Sequence, residues 1–192
     1  MPSVLLDLQK QHPELQIQVT IGNTEEIVQA VRLYEVDIGL IEGQTNDKEL
    51  QVIPFMEDEL YIVASMNHPL AHREEISISE LHDQAWITRE VGSGTREYLN
   101  HVIRSNGLRA QSFLTISSNQ GIKETLINGN GLSLLSKSVI ERDVNNGNLC
   151  IISVINTRFT RRLSYLFAPI MKEKQNVLTF IETLKETFPY ND

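Results

Sequence analysis

The chain has 192 residues, of which 41% are apolar and 22% charged, a composition typical of one globular domain or of two small lobes. Its net charge of -8 argues against a nucleic-acid-binding surface, because phosphate contacts require clustered Lys and Arg. The single cysteine, Cys150, excludes an internal disulfide. With no apolar run long enough to span a membrane and no secretory signal pattern, the sequence predicts a cytoplasmic protein.

Helix and strand patterns alternate along the first half of the chain. They predict a helix at 3–11, a strand at 15–21, a helix beginning at 23–24, and strands at 36–42 and 60–65. The strand at 15–21 is predicted because apolar and polar residues alternate strictly in LQIQVTI, which is typical of a strand with one buried face.

The same alternation continues in the second half. It predicts a capped turn at 77–81 and strands at 85–88, 112–117, 131–136, 149–155 and 162–169. It also predicts a helix at 94–106, a helix that begins after 120, a short helix that ends at 142, and a final helix at 173–187. Ser77 with Glu80 and Ser117 with Gln120 have the spacing of a capping box, and Gly107 is predicted to end the helix before it. Strands that alternate with helices predict an α/β fold with largely parallel sheets.

Residue patterns for catalysis or metal binding are weak. His68 and His72 are four residues apart, but Pro69 lies between them, so they are expected to be solvated loop histidines. The glycine-rich stretch GSGTRE has neither a nucleophile elbow nor the Gly-Lys-Ser/Thr of a phosphate loop. The acidic run 57–59 is predicted to be solvated and Cys150 to be inert core. No catalytic residue, metal or cofactor is predicted.

Three polar stretches, each after a predicted strand, precede predicted helices at 22–24, 92–95 and 117–120. A helix N-terminus offers unpaired backbone N–H groups and a positive dipole end, so each stretch is either an ordinary cap or an anion-binding site. In a doubly wound sheet the carboxyl ends of the strands share one edge, where ligands bind. Three such stretches together favour a converging anion site.

The residues around two of these stretches resemble a known family. The segments WITREVGSGTREYLNHVIRSNGL and SSNQGIKETLINGNGLSLLSKSVIERDVNNGNL are similar to the effector-binding domain of LysR-type transcriptional regulators, in particular its CysL-like branch. The opening LLDLQKQHPELQIQVTIGNTEEIVQAVRLYEVDIGLIEG matches the family's helix, strand, helix and strand. The resemblance covers essentially the whole chain.

The resemblance implies an α/β fold of two Rossmann-like lobes joined by two crossing strands, as in type II periplasmic-binding proteins. Lobe one would comprise 1–60 plus 164–192 and lobe two 61–163, with a small effector in the cleft between them. The implied effector contacts are Asn23, Thr24, Ser93, Gly94, Thr95, Ser118, Asn119 and Gln120. The match begins inside the family's first helix, so neither the winged helix-turn-helix nor the domain's first strand has a counterpart here.

The family also implies an antiparallel homodimer. In that arrangement the first helix of one copy packs on the last lobe-two helix of the other. The residues carried over are Val4, Leu5 and Leu8 on one side and Val139 and Ile140 on the other. DNA would be contacted only through the N-terminal domain that the sequence lacks, and no membrane partner is expected.

The function implied is that of an effector-sensing regulatory domain that binds a small anionic metabolite. A free-standing solute-binding protein is the alternative, and an enzyme on the same fold is a third possibility that no nucleophile or base constellation supports. The CysL-like pattern suggests sulfur metabolism or another small inorganic or carboxylate anion.

Overall fold

The structure, a computed structural model, describes residues 2–189, except for the side chains of 111–113. It divides into two compact units. The first contains the chain up to Glu57 and from Arg162 onward, and the second is Asp58–Arg161. Among the described residues, no helix has the length and apolar character needed to cross a membrane.

Strands and helices alternate from residue 85 to residue 152, as the residue patterns predict, but the first two helices of the chain follow each other directly. The helices are α1 (Pro2–Gln11), α2 (Thr24–Arg32), α3 (Gly94–Ser105), α4 (Asn119–Ile127), α5 (Lys137–Asn145) and α6 (Gln175–Thr187). The strands are β1 (Gly39–Ile41), β2 (Gln51–Ser65), β3 (Ala85–Thr88), β4 (Gln111–Thr115), β5 (Ser133–Ser136), β6 (Leu149–Ile152) and β7 (Phe159–Phe167). Short 3-10 helices occupy Ile78–Leu81 and Pro169–Met171. Strands β2 and β7 each run from one unit into the other.

Strand directions differ from the expected parallel arrangement. One sheet has the order β1-β7-β2-β5, with β6 also paired to β2, and β3 pairs with β4 separately. The β1–β7, β2–β5 and β2–β6 pairings are antiparallel, whereas β3–β4 is parallel. The prediction of largely parallel sheets is therefore wrong for these pairings, because apolar runs report burial and carry no information on strand direction.

The predicted strand at 15–21 is also wrong. The segment follows α1 without a strand assignment, and no described strand pairs with it. Its apolar side chains are consequently exposed, with Val19 at 58% and Ile21 at 94%. A strand needs a neighbouring backbone to accept and donate its hydrogen bonds, so alternation alone does not produce one.

The core of the first unit contains two of the residues in the predicted dimer contact, Val4 and Leu8. Val4 is fully buried and packs in one cluster with residues of α2, β7 and α6, and Leu8 is 2% exposed. Leu5 is half-buried, and Leu6, at 62%, is the exposed leucine of α1. Val4 and Leu8 therefore belong to the interior of this unit rather than to an exposed apolar face.

The second unit has two apolar clusters. One surrounds Trp86 and Leu99 between β3, α3 and β5. The other contains Ile122, Leu126 and Ile140 beneath α4 and α5. Ile140 is 1% exposed, so it too is core and not an exposed contact, while its neighbour Val139 is partly buried.

Candidate functional site

The stretch that precedes α3 forms a tight turn. The backbone N–H of Ser93 donates to the carbonyl of Glu90 at 3.3 Å, and Gly92 has a φ of +88°. A positive φ at the third position of a β-turn is the conformation that glycine adopts without strain. Gly92 therefore lets the chain reverse direction so that Ser93, Gly94 and Thr95 begin the helix as buried residues.

The Ser93 hydroxyl does not cap its helix. Ser93 is the N-cap residue of α3, yet its side chain makes no capping hydrogen bond. At α2, by contrast, Asn23 Oδ1 accepts from the Glu26 N–H at 3.1 Å, and Glu26 Oε2 accepts from the Asn23 N–H at 2.8 Å. At α4, Ser118 Oγ accepts from the Gly121 N–H at 3.3 Å. Of the three helix starts, α3 alone lacks a side-chain cap.

A buried polar network lies directly behind this helix start. Arg161 Nη1 donates to Thr95 Oγ1 at 2.8 Å, and its Nε and Nη2 donate to Asp58 Oδ2 at 2.8 and 2.7 Å. Ser136 Oγ, at the start of α5, donates to Asp58 Oδ1 at 2.6 Å. All four residues are less than a tenth exposed. The network ties Thr95 to β2, β5 and β7.

Asp58 corrects the prediction that the acidic run 57–59 is solvated. It is 6% exposed and ion-paired, because it faces Arg161 on a neighbouring strand. Its neighbour Glu59 is partly buried, with a side chain 28% exposed, and contacts Arg158 at 3.3 Å. The hydrogen bond from Tyr61 and the Arg158 charge lower the pKa of Glu59. Burial of an acidic residue depends on a distant partner, which a local run of residues does not reveal.

A second arginine lies at the start of α4. Arg89, the residue directly after β3, pairs with Glu90 through contacts of 2.8 and 2.9 Å, and its Nη1 donates to Asn119 Oδ1 at 3.0 Å. Its side chain is 12% exposed. Sequence reasoning missed Arg89 and Arg161. The only local signal for Arg89 was its position immediately after a strand and before the glycine-rich turn.

Two of the remaining residues predicted to contact the effector, Thr24 and Gln120, lie in the first turns of α2 and α4. Thr24 is the first residue of α2 in the first unit and is partly buried. Gln120, exposed on α4, donates from Nε2 to Glu124 Oε1 at 2.8 Å. The predicted capping box of Ser117 with Gln120 is wrong, because the cap is Ser118, one residue later. The capping box of Ser77 with Glu80 is confirmed.

Two residues considered for chemistry in the sequence, His68 and Cys150, are buried and partly buried respectively. His68 is 2% exposed, not solvated, and its Nδ1 accepts from the Leu70 N–H at 3.2 Å. Burial lowers the pKa of His68 and raises that of the Cys150 thiol, which lies 3.4 Å from the Ser65 carbonyl oxygen. Within residues 2–189, no group of three or more His, Cys, Asp or Glu residues could hold a metal ion.

Comparison with known proteins identifies the fold and the family. The family model described as "LysR substrate binding domain" matches residues 1–189. The chain belongs to the LysR substrate binding domain family. It is 54% identical over 188 residues to the HTH-type transcriptional regulator CysL of Bacillus subtilis (strain 168), covering 98% of this chain and 63% of that protein. The chain therefore spans somewhat less than two thirds of this curated relative.

Two solved structures share the fold of this LysR domain. The regulatory domain of CcmR from Synechocystis PCC6803, in complex with 2-PG, has a TM-score of 0.89 and 25% identity, covering 97% of this chain and 90% of that one. The effector-binding domain of QuiR in complex with shikimate has a TM-score of 0.86 and 16% identity, covering 98% and 90%. The expected type II periplasmic-binding-protein-like α/β fold is thereby confirmed.

Proposed function

We propose that this LysR domain is the effector-sensing part of a transcriptional regulator and binds a small anionic metabolite, with the start of α3 as its main anion contact. The observation that carries the proposal is the uncapped helix N-terminus at Ser93, Gly94 and Thr95. Such a terminus directs backbone N–H groups and the positive end of the helix dipole toward an anion. The similarity to CysL and the small-molecule complexes of CcmR and QuiR support this role.

The helix dipole favours an anion over a cation at the start of α3. The Arg161 guanidinium positions the Thr95 hydroxyl there, while its own charge is paired with Asp58. At α2 the situation is different, because the Glu26 carboxylate already occupies the backbone N–H of Asn23. Among the predicted contacts of the second unit, we therefore assign the strongest anion interaction to Ser93 and Thr95, with Ser118 and Asn119 as additional contacts.

A thermal-shift screen tests the proposal. The chain is melted with sulfate, phosphate, sulfite and shikimate, each against a chloride control of equal ionic strength, because screening alone changes stability. A ligand at 100 times its Kd adds about 2.7 kcal/mol to the free energy of unfolding. We expect at least one oxyanion to stabilise the wild type and to lose that effect in Thr95→Val. Stabilisation that is identical in Thr95→Val would place the anion elsewhere.

We further propose that two copies associate through the exposed side of α1 and the segment 15–21. Leu6 is 62% exposed, Val19 58% and Ile21 94%. Exposed apolar residues that are numerous along one segment are typical of protein contacts. The family resemblance assigns the opposite side of the contact to α5, where Val139 is partly buried. Val4, Leu8 and Ile140 support the fold of each copy instead.

A further inference from the structure

The Arg89 guanidinium is held in a fixed orientation directly after β3. Its Nε and Nη2 donate to the two carboxylate oxygens of Glu90 at 2.8 and 2.9 Å, and such a two-point pairing fixes the guanidinium plane. The carbonyl oxygen of Arg89 accepts from Nη1 of Arg96, on α3, at 2.9 Å. The side chains of Arg89 and Glu90 are only 12% and 22% exposed. The remaining terminal nitrogen of Arg89, Nη1, therefore has a set direction.

That nitrogen orients the side-chain amide of Asn119. Nη1 of Arg89 donates at 3.0 Å to Oδ1 of Asn119, the first residue of α4. A guanidinium has donors only, so the amide atom that faces it must be the oxygen. The N–H groups of the Asn119 amide consequently face away from Arg89, and within residues 2–189 they make no hydrogen bond. Arg89 therefore determines which side of this amide is a donor.

The start of α4 has further donors beside this amide. The first four N–H groups of a helix, here those of residues 118–121, have no acceptor within the helix. The Gly121 N–H donates to Ser118 Oγ at 3.3 Å, which leaves the N–H groups of Asn119 and Gln120 without a partner in the helix. An anion at the start of α4 would thus meet backbone and amide donors, while Arg89 holds back the amide oxygen that would repel it.

We propose that Arg89 is a positioning residue for anion binding, because its hydrogen bond to Asn119 Oδ1 keeps the amide N–H groups of Asn119 available to the effector. The proposal rests on the proposed function, in which Ser118 and Asn119 are additional anion contacts. An amide that could turn over would spend part of its time with its oxygen toward the anion. The charge of Arg89 is paired with Glu90, so Arg89 acts through Asn119 and not as a direct counter-charge.

Asn119→Asp separates this role from a purely structural one. Aspartate keeps the oxygen that accepts from Arg89 and makes that hydrogen bond charge-assisted. It also places a negative charge in the first turn of α4, where the helix dipole favours it. The variant should therefore be at least as stable as wild type toward urea. Because an anionic oxygen replaces the amide donors, its anion affinity should fall about tenfold or more.

A charge-neutral double variant tests Arg89 itself. Arg89→Met with Glu90→Gln leaves the net charge unchanged but frees the amide of Asn119. If about one half to one tenth of the amides then face the anion correctly, affinity falls about two- to tenfold. Arg109→Met with Asp83→Asn removes an equivalent pair from the exposed surface of the same unit and should leave the affinity unchanged. In an Asn119→Ala background, the Arg89 and Glu90 substitutions should cause no further loss.

Titration calorimetry measures these affinities, with the anions of the thermal-shift screen as titrants and chloride of equal ionic strength as the control. Losses in Asn119→Asp and in the charge-neutral variant, without a further loss in the Asn119→Ala background, support the proposal. Circular dichroism melts show whether each variant is folded, and Asn119→Asp alone decides if the charge-neutral variant is not.

Two results would overturn the role of Arg89. The first is wild-type affinity in Asn119→Asp. The second is a further loss in the Asn119→Ala background, because Arg89 would then act on the anion or on the fold without Asn119. If Thr95→Val loses affinity while the Asn119 and Arg89 variants bind as wild type does, the role of Arg89 fails and the proposed function stands. If none of the four anions binds the wild type, both fail.

Discussion

Replacement of Asp58 by alanine tests the buried network behind α3. The substitution removes the acceptor of three hydrogen bonds, two from Arg161 at 2.7 and 2.8 Å and one from Ser136 at 2.6 Å. The Arg161 side chain is only 6% exposed, so these two charge-assisted hydrogen bonds are lost in the protein interior. Breaking a buried pair from one side costs about 3–5 kcal/mol. Because domains are stable by about 5–15 kcal/mol, a large part of the stability should be lost.

Urea denaturation followed by circular dichroism measures this loss. Asp83→Ala is the matched control, because Asp83 forms a comparable pair with Arg109 at 2.8 Å on the exposed surface, where ion pairs contribute little. The double variant Asp58→Ala with Arg161→Met should be more stable than the two single losses predict, because the two residues share the same hydrogen bonds and each single substitution already removes them. If Asp58→Ala loses no more than Asp83→Ala, the network does not stabilise this unit.

Three further substitutions have defined outcomes. Leu8→Glu should unfold the chain in a thermal melt, because Leu8 is only 2% exposed. Leu6→Glu, at a position 62% exposed, should change the free energy of unfolding by less than about 0.5 kcal/mol and shift the mass measured by light scattering toward monomer. An unchanged mass in Leu6→Glu would refute the proposed contact between copies. Burial lowers the pKa of His68 in the folded state below the usual 6.5. The stability that the neutral imidazole contributes is therefore complete above pH 6.5 and is lost as the pH falls toward the folded-state pKa. His68→Asn should consequently show a smaller fall in stability between pH 7 and pH 5 than the wild type. Parallel pH profiles would contradict this. Gly92→Ala, at a φ of +88°, should destabilise the fold by about 1 kcal/mol or more and weaken anion binding. Gly107→Ala, at a φ of +60°, should lower stability without changing anion affinity. An unchanged anion affinity in Gly92→Ala would show that the turn does not support the anion site.

Local patterns predicted most of the elements. The helix at 94–106 is observed as α3, and Gly107, the predicted end signal, has a φ of +60°. The reason is that caps and end signals act between residues only a few positions apart. The strand at 15–21 failed because its formation depends on a partner backbone, which a single segment cannot specify.

The polar residues of the candidate site were predicted less completely. Ser93 and Thr95 were identified because a glycine-rich stretch before a helix is visible in the residues themselves. Arg161 was not, since its contacts with Asp58 and Thr95 join residues 103 and 66 positions apart.

Titration calorimetry of Thr95 variants tests most directly whether the start of α3 binds a small anion. The titrant is the oxyanion that gives the largest thermal shift. Thr95→Ser keeps the hydroxyl that accepts from Arg161, and Thr95→Val keeps the shape without it. Loss of a charge-assisted hydrogen bond weakens binding by about 1.5–3 kcal/mol, so Thr95→Val should bind about 10- to 100-fold more weakly and Thr95→Ser close to wild type. Equal affinity in wild type and Thr95→Val would contradict the assignment.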